Sequence, residues 1–359
     1  MKQPRRARLW AIPITTTLLI LFFVSALDPT FPPPERADWP TDDWHEAAPE
    51  IVGLDGGRLQ TMERHIETDL PHIYSVLIVR YGYLAYERYY QGFHAGFPFE
   101  VASITKSITS ALVGIALDEG YLQSLDQRVM DFFPDLAAPE LDSQTGELTL
   151  RHLLTMTSGY SWSEDGPWRW PRSGSWFAFA LKMTIADSPG ARFGYNTPAA
   201  HLLSGVLARA AGQSAADFAQ AFLFEPLGIA RPDWMTDPEG YTTGAHGLSL
   251  RARDLAKFGY LYLNRGQWDG RQIVPAAWVD ESTRRQVSGG FPQGEDYGYL
   301  WWATAEAGHP AYFAAGYGGQ YVEVIPALDM VVVITSAMDD LHIENRRLVA
   351  AFIVPAARP

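Results

Sequence analysis

The sequence predicts an α/β (α+β) fold: one antiparallel sheet assembled from the N- and C-terminal thirds, flanked by helices, with a helical lobe inserted between its two halves. Three observations predict it. Strand-forming runs cluster at residues 75–90 and again between residues 297 and 336. Helical spacing and loops prevail between them, from about residue 120 to 240. A strongly apolar helix opening at residue 103 stands where the first strands meet that lobe.

Taken in order, the chain begins with Lys2, Arg5, Arg6 and Arg8, followed by 19 uncharged residues from 9 to 27. Such a segment is a signal peptide, with Val24-Ser25-Ala26 resembling a cleavage site, or an uncleaved membrane anchor. Either way the basic flank stays cytoplasmic, and the domain is expected outside the cytoplasm, in the periplasm or an equivalent space. Residues 28–50 read as a spacer, stiff and Pro-rich over 29–34 and rich in Trp and acids beyond Asp38. Residues 51–359 then form the folded domain. Leu54, Leu59, Met62, Ile66 and Leu70 lie on one side of a helix, and residues 75–80 and 83–90 pair as a hairpin through Tyr81-Gly82.

Next comes the central helix, in which Ile104, Ile108, Ala111, Leu112, Ile115 and Ala116 recur at helical spacing until Gly120. Residues 151–156, 199–211, 215–224 and 250–264 read as further helices. The loop at 161–176 holds Trp162, Trp168, Trp170 and Trp176, as an aromatic wall for an apolar substrate or as the cover of a core edge. Residues 297–302, 311–315, 320–325 and 330–336 are strand-like, and 343–354 closes the chain as a helix.

Composition bounds the function. With 359 residues, 47% hydrophobic and 13% aromatic, the chain can bury a large core. Its 41 acidic residues against 28 basic ones, a net charge of −13, speak against nucleic acid as a partner. The absence of cysteine excludes disulfides and thiol catalysis. No Gly-x-Ser-x-Gly elbow occurs, and His45-Glu46 does not continue into a His-Glu-x-x-His metal motif. His201, His246 and His309 are isolated, so no metal and no cofactor is expected, although His309 lies close enough in sequence to the glycine strand to line a site there.

The chemistry is concentrated in Val101-Ala-Ser103-Ile-Thr-Lys106-Ser. Residues i and i+3 share a face in the first helical turn, so the Lys106 amine can reach the Ser103 hydroxyl. A serine needs a base to become a good nucleophile, and a lysine can serve once burial among apolar neighbours has lowered its pKa. Tyr195, in a Gly-containing loop just before a helix, is placed to move a proton on the other side of the serine. Ala314-Ala315-Gly316-Tyr317-Gly318-Gly319 ends a strand with three glycines in four positions, leaving room for a carbonyl against backbone N–H donors.

Over residues 54–354 the chain resembles the serine β-lactamase-related hydrolases, nearest the class C β-lactamase, D-alanyl-D-alanine carboxypeptidase, esterase and 6-aminohexanoate-dimer-hydrolase-like branch. The resemblance rests on Ser103-x-x-Lys106, Arg151-His-Leu-Leu-Thr-Met-Thr-Ser-Gly159, Pro189-Gly190 through Tyr195-Asn196-Thr197, Gly244-Ala-His-Gly-Leu-Ser-Leu250 and Gly316-Tyr-Gly-Gly-Gln-Tyr321. It implies a β-lactamase/transpeptidase-like fold, an acylated Ser103 with Lys106 as partner, and Tyr195 as proton relay. It also implies an oxyanion hole from the N–H groups of Ser103 and Tyr317, and substrate contacts at Asn196, Thr197, Ala315, Gly316 and Gly318.

Two departures bear on substrate. Asparagine stands at 196 and threonine at 197, where the family's Tyr-x-Asn loop has asparagine third. Ala314-Ala315-Gly316 replaces Lys-Thr-Gly, which removes the positive charge that greets a substrate carboxylate. A small neutral ester, amide or peptide is therefore expected rather than an antibiotic. A carboxypeptidase or β-lactamase activity, or a membrane-tethered binding module that has lost turnover, are the alternatives.

Overall fold

The computed structural model describes residue 32 and residues 34–166, 169–337 and 343–358. The expectations for residues 1–27, for most of the Pro-rich stretch and for Trp168 lie outside the described residues. Among the described residues no helix is long and apolar enough to cross a membrane.

The acid- and Trp-rich segment after residue 35 is a strap. Trp39 packs on Tyr260 and Trp268, Trp44 donates to the Arg253 carbonyl, and Arg36 binds Asn264 and Asp329. The buried Lys257 ammonium donates to three carbonyls, those of Thr41, Leu227 and Gly228, and so ties the strap to the core.

Helix α1 (Gly56–Asp69) starts at Asp55, whose carboxylate accepts from the Arg58 N–H, and buries Leu59, Met62 and Ile66. Strands β1 (Ile73–Arg80) and β2 (Tyr83–Tyr89) form the expected hairpin, and β3 (Pro98–Glu100) follows as a short separate strand. The central helix α2 (Ile104–Asp118) is buried from Ile104 to Ala116, polar residues included, so more than its apolar face is covered. Two of its hydroxyls bond to neighbouring elements: Thr109 donates to the Gly244 carbonyl and Ser107 to that of Leu300.

The lobe comprises α3 (Leu150–Leu154), α4 (Trp176–Leu181), α5 (Thr197–Ala211) and α6 (Ala215–Ala219). Strand β4 (Ser249–Arg251) then pairs with β3, and α7 (Ala252–Leu263) lies on the main sheet, where Gly259 lets it approach Val331 and Val322. After the small hairpin of β5 (Gln267–Trp268) and β6 (Arg271–Gln272) comes α8 (Ala276–Thr283). The chain finishes with β7 (Asp296–Tyr297), β8 (Trp302–Glu306), β9 (His309–Gly316), β10 (Gln320–Ile325), β11 (Met330–Ser336) and α9 (Ile343–Leu348).

The sheet is seven-stranded in the order β2-β1-β11-β10-β9-β8-β7, every pair antiparallel. The N-terminal hairpin thus joins the C-terminal strands along β1 and β11, from Ser75 opposite Thr335 to Arg80 opposite Met330. All seven residues of β11 are buried, as a central strand covered on both faces requires.

Three expectations need correction, the first being the helix over 215–224, which keeps α geometry only to Ala219 and widens into a π-type turn over Gln220–Phe224. Residues 297–302 are not one strand: Gly298 donates to the Trp301 carbonyl, Leu300 has φ +59, and the chain turns between β7 and β8. Alternating aromatics mimicked a strand, but Gly298 sits so close to the Ser282 carbonyl that only a residue without a Cβ fits, which fixes a turn. The closing helix keeps regular α geometry only to Leu348 and widens into a π-type turn over Val349–Ile353.

Gly114 is where α2 meets α8. A Cβ there would stand 2.4 Å from the Trp278 ring. Gly114→Ala is expected to cost about 1–3 kcal/mol by overpacking. Urea denaturation checks this, and an unchanged midpoint would show that Trp278 can yield.

Candidate active site

Ser103 is the residue just before the first turn of α2, and its side chain makes no capping bond. Its hydroxyl is left for other work. The turn that delivers it is unusual: Ala102 has φ +47, a left-handed conformation that a residue with a Cβ adopts at a cost of about 1–3 kcal/mol. Glu100 supports that turn, because its carboxylate oxygen accepts from the Ala102 N–H at 3.1 Å and from the Gly247 N–H at 2.8 Å. The same carboxylate therefore joins the start of α2 to the loop of residues 244–247, in which Gly247 has φ +79.

Lys106 is 1% exposed. Its Nζ lies 2.9 Å from Ser103 Oγ and 3.0 Å from the Ala245 carbonyl oxygen. Burial lowers its pKa to about 8, against the opposing charges of Glu164 and Glu100. His246 is held down to about 4 by burial and by the Lys106 ammonium, so its imidazole is neutral at pH 7.

The half-buried Tyr195 completes the group, with the Lys106 Nζ 5.0 Å from the centre of its ring. Burial pushes its phenol well above the ordinary tyrosine range, with hydrogen bonding to Ser103 pulling the other way. The loop that carries it is built on the segment following α3. Gly194 donates to the Met156 carbonyl and Gly190 to that of Thr157, each at 2.8 Å. Trp302 stacks on the Tyr195 ring at 6.0 Å.

Asn196 and Thr197 follow at the start of α5, and both are buried. The Asn196 carbonyl Oδ1 caps the helix by accepting from the Ala199 N–H at 2.8 Å. Thr197 turns to Glu164, whose carboxylate accepts from its N–H at 2.7 Å and its hydroxyl at 3.1 Å. Of the tryptophans in that loop, Trp170 and Trp176 are buried against His201 and His246, while Trp162 donates to Glu164 at 2.7 Å.

On the other side, the end of β9 meets the start of α2. A Cβ on Gly316 would stand 2.3 Å from the Val101 carbonyl oxygen and 3.0 Å from Ala102 Cβ, so this strand end and the Ser103 turn are in direct contact. Ala314 and Ala315 are buried beside it, and Tyr317 is 73% exposed. The turn that follows is fixed: Ser336 donates to the Gly318 and Gly319 carbonyls, and Asn345 to that of Gly319. Both Gly318 and Gly319 have φ near +80.

The structure therefore brings Ser103, Lys106, Tyr195, Gly316 and Tyr317 to one place. It does not bring His309, which begins β9 at the hairpin with Glu306, the far end of the strand from Gly316. His201 is spent on Asp237 inside the lobe, with Nε2 3.2 Å from the carboxylate. Glu100, Glu164, Ser336 and Asn345 were not picked out from the sequence. Nothing local marks them, since each works on a partner brought near only by the fold.

A sheet with an inserted helical lobe and a Ser-x-x-Lys pair at their junction is the arrangement of the penicillin-binding and β-lactamase class of hydrolases. The sequence model of the β-lactamase family matches residues 65–351, and the chain belongs to that family. It is 26% identical over 361 aligned residues to the 6-aminohexanoate-dimer hydrolase of Paenarthrobacter ureafaciens, covering 92% of this chain and 86% of that one. Among solved structures it resembles an octameric penicillin-binding protein homologue from Pyrococcus abyssi, with TM-score 0.67, 22% identity, and 85% and 78% of the two chains covered. It also resembles a D-stereospecific amidohydrolase from Streptomyces, with TM-score 0.65, 17% identity, and 84% and 99% covered. The structural likenesses speak to the fold alone.

Proposed function

We propose that the chain is a serine hydrolase that cleaves a small neutral ester or amide through an acyl-enzyme. The observation that carries this reading is the 2.9 Å separation of Lys106 Nζ from Ser103 Oγ, with the amine buried and its pKa lowered to about 8. In the first step Ser103 Oγ bonds to the substrate carbonyl carbon while its proton passes to Lys106. The oxyanion formed is held by the N–H groups of Ser103 and Tyr317. As the tetrahedral centre collapses, the C–O or C–N bond breaks and the leaving group takes a proton by way of Tyr195. Water then attacks the acyl-enzyme, giving its proton to the same groups, and releases the acid and Ser103.

Asn196, Thr197, Ala315, Gly316 and Gly318 border this path as substrate contacts in the proposal. The preference for a neutral substrate is supported by buried Ala314 and Ala315, which offer a carboxylate neither charge nor hydrogen bond. The name of the Paenarthrobacter relative points to short amides as the first class to try. Export on the strength of residues 1–27 belongs to the same proposal.

The test is intact-mass analysis after exposure to a fluorophosphonate probe, followed by p-nitrophenyl esters, a short amide with uncharged ends and benzylpenicillin as substrates. One probe adduct and turnover of esters or amides in preference to the penicillin is the expected result. An unlabelled protein inert to all three would sink the reading.

A further inference from the structure

The Glu164 carboxylate sits on the loop beside the reacting groups and contacts two elements at once. It accepts from Trp162 Nε1 on its own loop, and from the N–H and hydroxyl of Thr197, two residues beyond Tyr195. These bonds clip the tryptophan loop onto the first turn of α5. Its negative charge is also felt by both the Lys106 amine and the Tyr195 phenol, and in each case it favours keeping the proton. The other groups facing Lys106 are Glu100, whose charge acts in the same sense, the neutral His246, the Ser103 hydroxyl and the Ala245 carbonyl. Glu100 is committed to two backbone N–H groups that shape the Ser103 turn.

We propose that Glu164 is a positioning residue for this site: it clips the Trp162 loop to the Tyr195 loop, and its charge balances the ammonium that forms on Lys106 when Ser103 gives up its proton. The proposal rests on the acyl-enzyme reading above. Its logic is that of a carboxylate that orients and steadies a base without itself taking the proton. Without that charge the buried ammonium has lost a counter-charge, so Lys106 becomes a weaker base: free of its proton at lower pH, but less able to take one from serine.

Glu164→Gln separates the charge from the clip, since the amide oxygen still accepts from Thr197 N–H and Trp162 while the NH2 can meet the Thr197 hydroxyl. The chain has only Lys2, Lys106, Lys182 and Lys257, so 13Cε-lysine NMR can follow the Lys106 titration directly, with Lys106→Met identifying its resonance. In Glu164→Gln the Lys106 midpoint is expected to fall by about one pH unit. The acidic limb of kcat/KM for a p-nitrophenyl ester should move with it, and the plateau kcat should drop by about tenfold. Glu164→Ala, which also opens the clip, should lower kcat further.

An unmoved Lys106 midpoint in Glu164→Gln overturns the proposal, whatever happens to the rate, because a purely structural residue would leave it in place. A shifted midpoint in a protein whose wild type shows no Ser103-dependent turnover supports the electrostatic role and overturns the acyl-enzyme reading instead.

Discussion

Ser103→Ala is expected to abolish turnover of a p-nitrophenyl ester, by on the order of 10³-fold or more, and to abolish labelling by a fluorophosphonate. The fold should survive unchanged. Ser103 makes no capping bond at the start of α2, so the substitution removes one hydroxyl and no helix support. Lys106 keeps its bond to the Ala245 carbonyl, and the N–H of residue 103 is untouched. A variant that melts like the wild type and has lost both signals would identify the nucleophile. Ester turnover at the wild-type rate in the same variant would mean that another group attacks, and the role given to α2 would be lost.

The second large effect is expected at Lys106. Methionine matches the length of the lysine stem and fills the same buried space, so Lys106→Met removes the amine with little change in packing. Turnover should fall by about 10²–10⁴-fold, the range for deleting a positioned base. In the wild type the amine must be neutral to act, and its pKa is lowered to about 8. Below that pH, kcat/KM should therefore rise about tenfold per unit, levelling off above it, with roughly a tenth of the amine neutral at pH 7. Because the Tyr195 phenol titrates well above the ordinary tyrosine range, no falling limb is expected near neutrality. A profile that is flat from pH 6 to 9, or a Lys106→Met enzyme with full activity, would remove lysine from the chemistry.

Much of this was legible in the sequence where the signal is local. The pairing of Ser103 with Lys106 follows from helical spacing, and their separation of 2.9 Å is what that spacing implies. The strands at 75–80, 320–325 and 330–336 were plain because alternation and β-branched residues mark them at short range. Reading failed where an element depends on a partner far along the chain. Residues 297–302 look like a strand until Gly298 is seen pressed against the Ser282 carbonyl. Glu100 and Gly247 lie 147 residues apart and meet only because β3 pairs with β4. Glu164 reaches Thr197 across 33 residues, through a loop with no periodicity at all. The acidic segment at 38–50 reads as part of a spacer, but it is held on the domain by Arg253, which pairs with its Asp43 and Glu46 as well as with Glu87 of β2.

The strap has a geometric consequence. Arg36 is fastened to Asp329, at the turn that opens β11, whereas Ser336, at the other end of that strand, holds the glycine turn beside Ser103. Six steps of strand put about 20 Å between the two ends. A load carried by the strap therefore enters the sheet at the Asp329 end of β11, one strand length from the glycine turn beside Ser103.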